Sequence, residues 1–403
     1  MSDVAQPVAD AAASHPVPKP KKRIAIFCDG TWNQLSAKEP TNVVLGAQLV
    51  LPWSETDGLQ QLFHYVQGVG TSHTFSQRIE AWLAGAFGFG LFQNVVATYR
   101  YLMFNYMPGD EVYIFGFSRG AFTARSLAGM IRKCGILNMD QTGMLEEALA
   151  LYRMTGDEGH PDCPLAQRFR AENTPEMIMK EKDRAWRRAN GYDPREDLPF
   201  FRIRYLGVWD TVGAMGIPRH LWIEWLLRTN ERHKFHNLKL SSTILSARHA
   251  VAIDEDRLAY APTLWEKESE AENENADNHI ERWFPGDHSS VGGGGDIRGL
   301  SNASLLWVME GAREAGLDLD ETRMENFGRD IDPTASLRAF SAKPGFLSGI
   351  YGRGPRTGPD IEQFLAHTTL DRLRFEAKDR TWQKYRPTSL LPLLRRMFPD
   401  EKL

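Results

Sequence analysis

A chain of 403 residues, 42% hydrophobic, 11% aromatic and 25% charged, is long enough to bury a large core and has the make-up of an ordinary globular protein. Its formal net charge of −4 supplies no global basic field to attract nucleic acid or an anionic membrane. The three cysteines, Cys28, Cys134 and Cys163, lie far apart without a CxxC spacing, which argues against a disulfide framework or structural zinc and for a reducing compartment.

Residues 1–22 are Ala/Pro-rich and read as a disordered tail that lacks the apolar region of a signal peptide. No run of about 18 apolar residues occurs, so no transmembrane span is expected and any action on a membrane is from its surface. The default compartment is cytoplasmic, and export would need dedicated machinery. "RIAIFCDGTWN" (23–33) and "LFHYVQGVGT" (62–71) are apolar runs with strand character. The segment 85–110 opens as a Gly-rich loop. It then carries Val95, Tyr99, Leu102, Met103 and Tyr106 at helical spacing before Pro-Gly stops it. "EVYIFGF" (111–117) is a strand, and 119–135 a helix closed by Gly135.

Residues 141–198 turn charged and irregular and read as an insertion. The segment 200–216 is an apolar strand with a Gly-rich turn, and 242–256 reads as helix-like. Between them, Leu221, Trp222, Trp225 and Leu226 lie beside basic residues, making 218–240 a candidate interfacial lid, with packing on the core as the plainer reading. Residues 279–295 form a strand that opens into a glycine loop, and Ser301 is a candidate N-cap for the helix to 317. Residues 321–403 read as a small C-terminal extension after a catalytic domain over 23–320. Alternating strands and helices imply an α/β fold, with a mainly parallel sheet and helices on both faces.

Gly116-Phe117-Ser118-Arg119-Gly120 fits G-x-S-x-G, with a strand before it and a helix after it. A nucleophile on so sharp a turn sits in strained backbone, and Gly116 and Gly120 remove the side chains that would clash. The helix N-terminus then directs N–H groups at the oxygen that becomes negative in acyl transfer, with Arg119 as the expected donor. In this fold class the triad order is Ser, acid, His. His288, after a late strand and before the glycines, is the expected base; His160, His233, His236 and His249 fit less well by order and context. Asp210, at the carboxyl end of a strand, leads as the acid. Asp254 is its rival, and Asp287 adjoins His288 but should point away from it in extended chain.

"FCDGTWN" approaches the D-x-D-G-T pattern of aspartyl-nucleophile phosphatases, but Phe27 occupies the nucleophile position. Gly30 and Thr31 are instead expected to supply a second oxyanion N–H, braced by Asp29, although a simple strand-end turn explains them equally. No G-x-G-x-x-G opens a helix, so no dinucleotide site is expected, and no metal or organic cofactor is called for. "VGGGGD" (291–296) reads as loop geometry for His288 more readily than as a phosphate cradle.

The motifs "IAIFCDGTWN", "GAFGFGL", "NYMPGDEVYIFGFSRGAFTARSLAG", "YLGVWDTVGAMG", "IDEDR", "APTLW" and "WFPGDHSSVGGG", in this order over 23–317, resemble the α/β-hydrolase-like domain of the type VI secretion phospholipase effectors. The resemblance implies a serine lipase or esterase acting on phospholipid carboxyl esters, with Ser118 as nucleophile and His288 as base. It leaves the acid open between Asp210 and Asp254. It also implies a lipid substrate and, for an effector, a secretion-machinery or immunity partner. The chain departs from the family pattern at Ser290 and Gly295, where an Asp and an aromatic are usual. A general carboxylesterase on soluble esters and a non-catalytic hydrolase-fold protein binding a membrane or partner are the alternatives.

Overall fold

The structure is a computed structural model that describes residues 21–30, 33, 35, 37–68, 86–213, 240–266, 273–339, 352–375 and 384–401. The expected lid, 218–240, falls almost wholly outside these residues, as does Thr31.

Strand β1 (Lys22–Cys28) shows why a parallel sheet forms. Its residues alternate between two buried faces: Ile24 and Ile26 belong to one core, Ala25 and Phe27 to the other. Five further strands join it: β2 (Gln60–Val66), β3 (Glu111–Phe117), β4 (Ile203–Trp209), β5 (Ile244–Ala252) and β6 (His279–Phe284). All pair in parallel, in the order β2-β1-β3-β4-β5-β6. The chain therefore reverses its direction of travel across the sheet between β1 and β3. The crevice beyond the carboxyl ends of these two strands is where an open α/β sheet binds ligands.

One face is covered by α2 (Ala86–Asn105), α3 (Arg119–Cys134), α4 (Leu145–Arg153) and α5 (Pro164–Asn173), which bury Val95, Tyr99, Leu127, Ile131, Leu149 and Phe169 over the sheet. The other is covered by α1 (Asn42–Leu49) and, near the chain's other end, α8 (Ser301–Glu314), which bury Val43, Leu305, Val308 and Met309 against Phe27, Phe115 and Tyr205. Phe27 and Phe115 stack across adjacent strands, with ring centroids 4.5 Å apart.

Four sequence expectations change. The segment 242–256 is strand β5, not a helix. Ile244, Ala247 and Val251 mimic helical spacing, but β5 lies between β4 and β6 with both faces covered, so apolar residues fall on both parities. The glycines of 86–90 lie within α2 rather than in a loop before it, and α8 begins at Ser301 with Leu300 as its cap. Residues 141–198 form α4, α5 and α6 (Glu181–Ala189), and their charge is partly internal. Buried Arg170 grips Asp183 through two bonds and donates to the carbonyls of Lys133 (2.9 Å) and Pro161 (2.8 Å). Charge at such positions holds irregular backbone together instead of facing water.

The C-terminal residues, expected as an appended extension, lie on the sheet edge. Short α7 (His288–Gly292) follows β6, and α9 (Glu321–Arg329) follows α8. Beyond them α10 (His367–Arg374) and α11 (Leu391–Met397) bury Leu373, Leu393 and Leu394, together with Leu365 and Tyr385, against Val251 and Trp283 of the strands and Ile253 just after β5. The Trp283 carbonyl accepts from Ala366 N (2.9 Å) and Thr369 Oγ1 (2.8 Å), extending β6 into this segment.

Candidate active site

Ser118 alone connects β3 to α3, with φ 57° and ψ −124°. A left-handed φ is disfavoured for any residue with a Cβ, and such strain persists only where the surroundings enforce it. Here they do. The Ser118 N–H donates to Trp209 O (3.0 Å), and Val212 N–H donates back to Ser118 O (3.4 Å), so the turn is held against the end of β4. The flanking glycines are explained by distance. A Cβ on Gly116 would lie 2.5 Å from Gly120 O, and one on Gly120 would lie 2.2 Å from Cys28 O and 2.5 Å from Asp29 O. Those atoms are backbone and cannot swing away. Gly120→Ala is therefore expected to cost about 3 kcal/mol, the upper end for overpacking, read from the urea midpoint.

The residue after β4 is strained too. Asp210 has φ 35° and is completely buried, and with Ser118 and Arg195 it is one of the described non-glycine residues at positive φ. Its carboxylate meets a guanidinium, an imidazole and a backbone donor. Oδ1 accepts from Ala252 N (2.9 Å) and Arg356 Nη1 (2.6 Å); Oδ2 accepts from Arg356 Nη2 (2.9 Å) and from His288 Nδ1 (2.5 Å). Burial alone would raise its pKa, but the Arg356 charge and the His288 hydrogen bond outweigh it and hold the carboxyl below its ordinary range. With an ionised acceptor at Nδ1, the network assigns the proton there and leaves Nε2 to act on a second group.

His288 heads α7, which Asp287 caps by accepting from Ser290 N and Ser290 Oγ, both at 2.8 Å. The imidazole lies between Phe117, at 4.6 Å between centroids, and the edge-on ring of Tyr260, at 4.9 Å. Phe117 thus links the histidine to the elbow, and Gly292 is required beneath it, since a Cβ there would come 1.9 Å from the ring. The backbone N–H of His288 donates to Glu255 Oε2 (3.2 Å). Arg257 grips Glu255 through two 2.6 Å bonds and stacks over Tyr260 at 3.9 Å.

Asp254 is elsewhere occupied. Its Oδ2 accepts from Gly286 N (2.7 Å) and Tyr385 Oη (2.6 Å), so it braces the turn before His288. Burial pushes its pKa up. The geometry pairs His288 with Asp210.

Asp29, at the end of β1, accepts from Gly30 N (2.7 Å), Asn33 Nδ2 (3.3 Å), Thr41 Oγ1 (2.8 Å) and Tyr65 Oη (2.7 Å). It braces the loop, and burial, only partly offset by these donors, raises its pKa. That arrangement bears on one expectation: in this structure the Gly30 N–H, expected toward an oxyanion, donates to Asp29. Gly30 still borders the elbow, since a Cβ there would lie 3.1 Å from Ser118 Cβ. Arg119 is the first residue of α3, where backbone N–H groups lack intrahelical acceptors. In the glycine loop, Gly293 N donates to Ser289 O and Gly294 N to Pro40 O, so these N–H groups do not form a phosphate cradle.

The sequence reading passed over four participants. Arg356 carries no local signal, because its partner lies 146 positions away. Glu255 lies within "IDEDR" and Tyr260 three residues after it, and neither was singled out. His249, expected in a helix, lies on β5 and accepts the Thr211 N–H at Nε2 (3.1 Å), while Nδ1 meets Glu281 Oε1 (2.7 Å). The ring is therefore the Nδ1–H tautomer and fixes the turn just after Asp210. Among the described residues, no group of three or more His, Cys, Asp or Glu is placed to hold a metal ion.

A family model described as "T6SS, Phospholipase effector Tle1-like, catalytic domain" matches residues 22–311, well over half the chain. The chain belongs to this family. Among relatives of the Tle1-like domain is an uncharacterized Saccharomyces cerevisiae protein, YEL023C, 26% identical over 251 residues, spanning 59% of this chain and 31% of that one. Solved structures similar to it include an uncharacterized Pseudomonas aeruginosa protein, 17% identical with TM-score 0.38, over 74% of this chain and 46% of the other. Another is the Tle1 effector bound to the VgrG spike of the type 6 secretion system, 20% identical with TM-score 0.33, over 69% and 52%. The Tle1-like chain thus spans about a third to a half of the length of these relatives. No helix among the described residues is long and apolar enough to cross a membrane.

Proposed function

We propose that the chain is a serine hydrolase of lipid carboxyl esters, a phospholipase, working through Ser118, His288 and Asp210. The observation that carries this is the pairing of His288 Nδ1 with the buried Asp210 carboxylate one strand away from the strained Ser118 turn. In this reading Ser118 Oγ attacks the ester carbonyl as His288 Nε2 takes its proton. His288 then passes that proton to the leaving alcohol, and water repeats the sequence on the acyl-enzyme. Arg119 N–H, heading α3, holds the oxyanion. The family supports a phospholipid substrate and, for an effector, a secretion-machinery partner.

A fluorophosphonate probe is expected to label the wild-type protein at Ser118, and absence of labelling would sink the proposal. Fatty-acid release from phosphatidylglycerol/phosphatidylethanolamine vesicles, compared with p-nitrophenyl butyrate hydrolysis, separates a phospholipase from a general esterase. The acid is tested by Asp210→Asn, expected to lower kcat about 10⁴-fold through loss of the correct tautomer and of imidazolium stabilisation. Asp254→Asn, which weakens only a brace, should cost no more than about tenfold, the scale of one hydrogen bond. Because Asp210→Asn also leaves the Arg356 charge unpaired, thermal melts accompany both rates.

A further inference from the structure

Asp210 is held more strongly than an orienting carboxylate needs to be. Arg356 closes on both its oxygens, including Oδ2, the oxygen that receives His288 Nδ1–H. The same guanidinium donates to Ala252 O (2.8 Å), beside the backbone N–H that binds Oδ1, and to Tyr260 O (2.5 Å). Tyr260 is the residue whose ring stands edge-on to the imidazole. Arg356 therefore ties together the acid and one wall of the histidine pocket, from a position 45 residues beyond the end of the family match. The fork of a guanidinium fixes the plane of a carboxylate as a single ammonium cannot.

We infer that Arg356 is a positioning residue of the Asp210–His288 pair, supplied by the C-terminal segment, which orients the carboxylate and compensates its charge so that the imidazole is available as a base. This deepens the serine-hydrolase reading and, for its kinetic readout, rests on it. Without Arg356 the buried carboxylate has His288 as its nearest compensating cation. The pair then keeps an extra proton to higher pH, whichever member carries it. Other charged or titratable groups face the pair. From the loop after β5 come Glu255, which accepts the His288 N–H, Arg257 bound to Glu255, and Tyr260. Asp287 caps α7, and the Glu281–His249 couple holds Thr211. The Arg257 charge is directed to Glu255, so it does not substitute for Arg356.

The test compares wild type, Arg356→Gln and Arg356→Lys by the pH dependence of kcat/KM on p-nitrophenyl butyrate, by an NMR titration of the His288 imidazole, and by thermal melts. In Arg356→Gln the acidic limb of kcat/KM and the imidazole titration are expected to move up by about one pH unit, a tenfold loss at low pH that shrinks at high pH. Arg356→Lys keeps the charge but not the fork, so the limb stays in place while kcat falls about tenfold. A uniform loss in Arg356→Gln at every pH, with titration and limb unmoved, would mark Arg356 as a structural clamp only and overturn the inference. So would wild-type kinetics in Arg356→Lys, which decides the matter should Arg356→Gln fail to fold. If the wild type hydrolyses no ester, the hydrolase reading fails by itself, and the NMR titration still decides the role of Arg356.

Discussion

Ser118→Ala is expected to lower kcat about 10⁶-fold on a soluble ester and to abolish fluorophosphonate labelling, with stability within about 0.5 kcal/mol of wild type. The size of the loss follows from the division of labour. In the proposed mechanism His288 and Asp210 activate one oxygen, and without it the imidazole has only water to act on, so what remains is the part of the rate owed to the oxyanion donors and to binding. The small effect on stability follows from the backbone. Ser118 is buried, its side chain makes no cap bond to α3, and its positive φ is imposed by Trp209, Val212 and the two glycines, which alanine leaves in place. Alanine and serine carry the same Cβ and meet nearly the same strain. Retention of most of the activity in Ser118→Ala, with an unchanged melt, would mean another residue does the chemistry.

The parts of this site that could be read from the sequence are those whose cause is local. Gly116, Ser118 and Gly120 stand at a spacing set by one turn, and the turn's clashes lie within a few residues or against the adjacent strand end, at Cys28 and Asp29. His288 was placed by chain order, which the fold class constrains. Choosing between Asp210 and Asp254 needed coordinates. Both follow a strand, Asp210 is buried and Asp254 half-buried, and only distance shows that one meets the ring while the other meets Gly286 and Tyr385. The partner of the Gly30 N–H is a short-range feature that no pattern carries: the carboxylate expected to brace the loop accepts the N–H expected for the oxyanion. Strand β5 was misread because burial on both faces erases the alternation that marks a strand. Arg356 could not be read at all. Its site is made by a return of the chain over 146 residues, and nothing in "RGPRTGPD" distinguishes it from a solvated arginine.

Ending the chain at Ala339 is expected to remove cooperative folding, read as loss of a sharp thermal transition together with binding of a hydrophobic dye. The reason lies in what the C-terminal residues cover. Val251, Ile253 and Trp283, on and just beyond β5 and β6, are buried beneath Leu365, Leu373, Tyr385, Leu390, Leu393 and Leu394. Exposing such side chains costs about 1.5–3 kcal/mol each. The cut also removes Tyr385 from Asp254, the two donors from the Trp283 carbonyl, and Arg356 from Asp210. The last of these leaves a buried carboxylate without its strongest partner, at about 3–5 kcal/mol. Together these losses reach the roughly 5–15 kcal/mol that separates a folded domain from its unfolded chain. The family match ends at residue 311, yet the sheet edge and the candidate acid both depend on residues past 350. A truncated chain that melts sharply near the wild-type temperature would show the segment to be dispensable. It would also detach Arg356 from the stability of the site, leaving its effect on the imidazole as a separate question of charge.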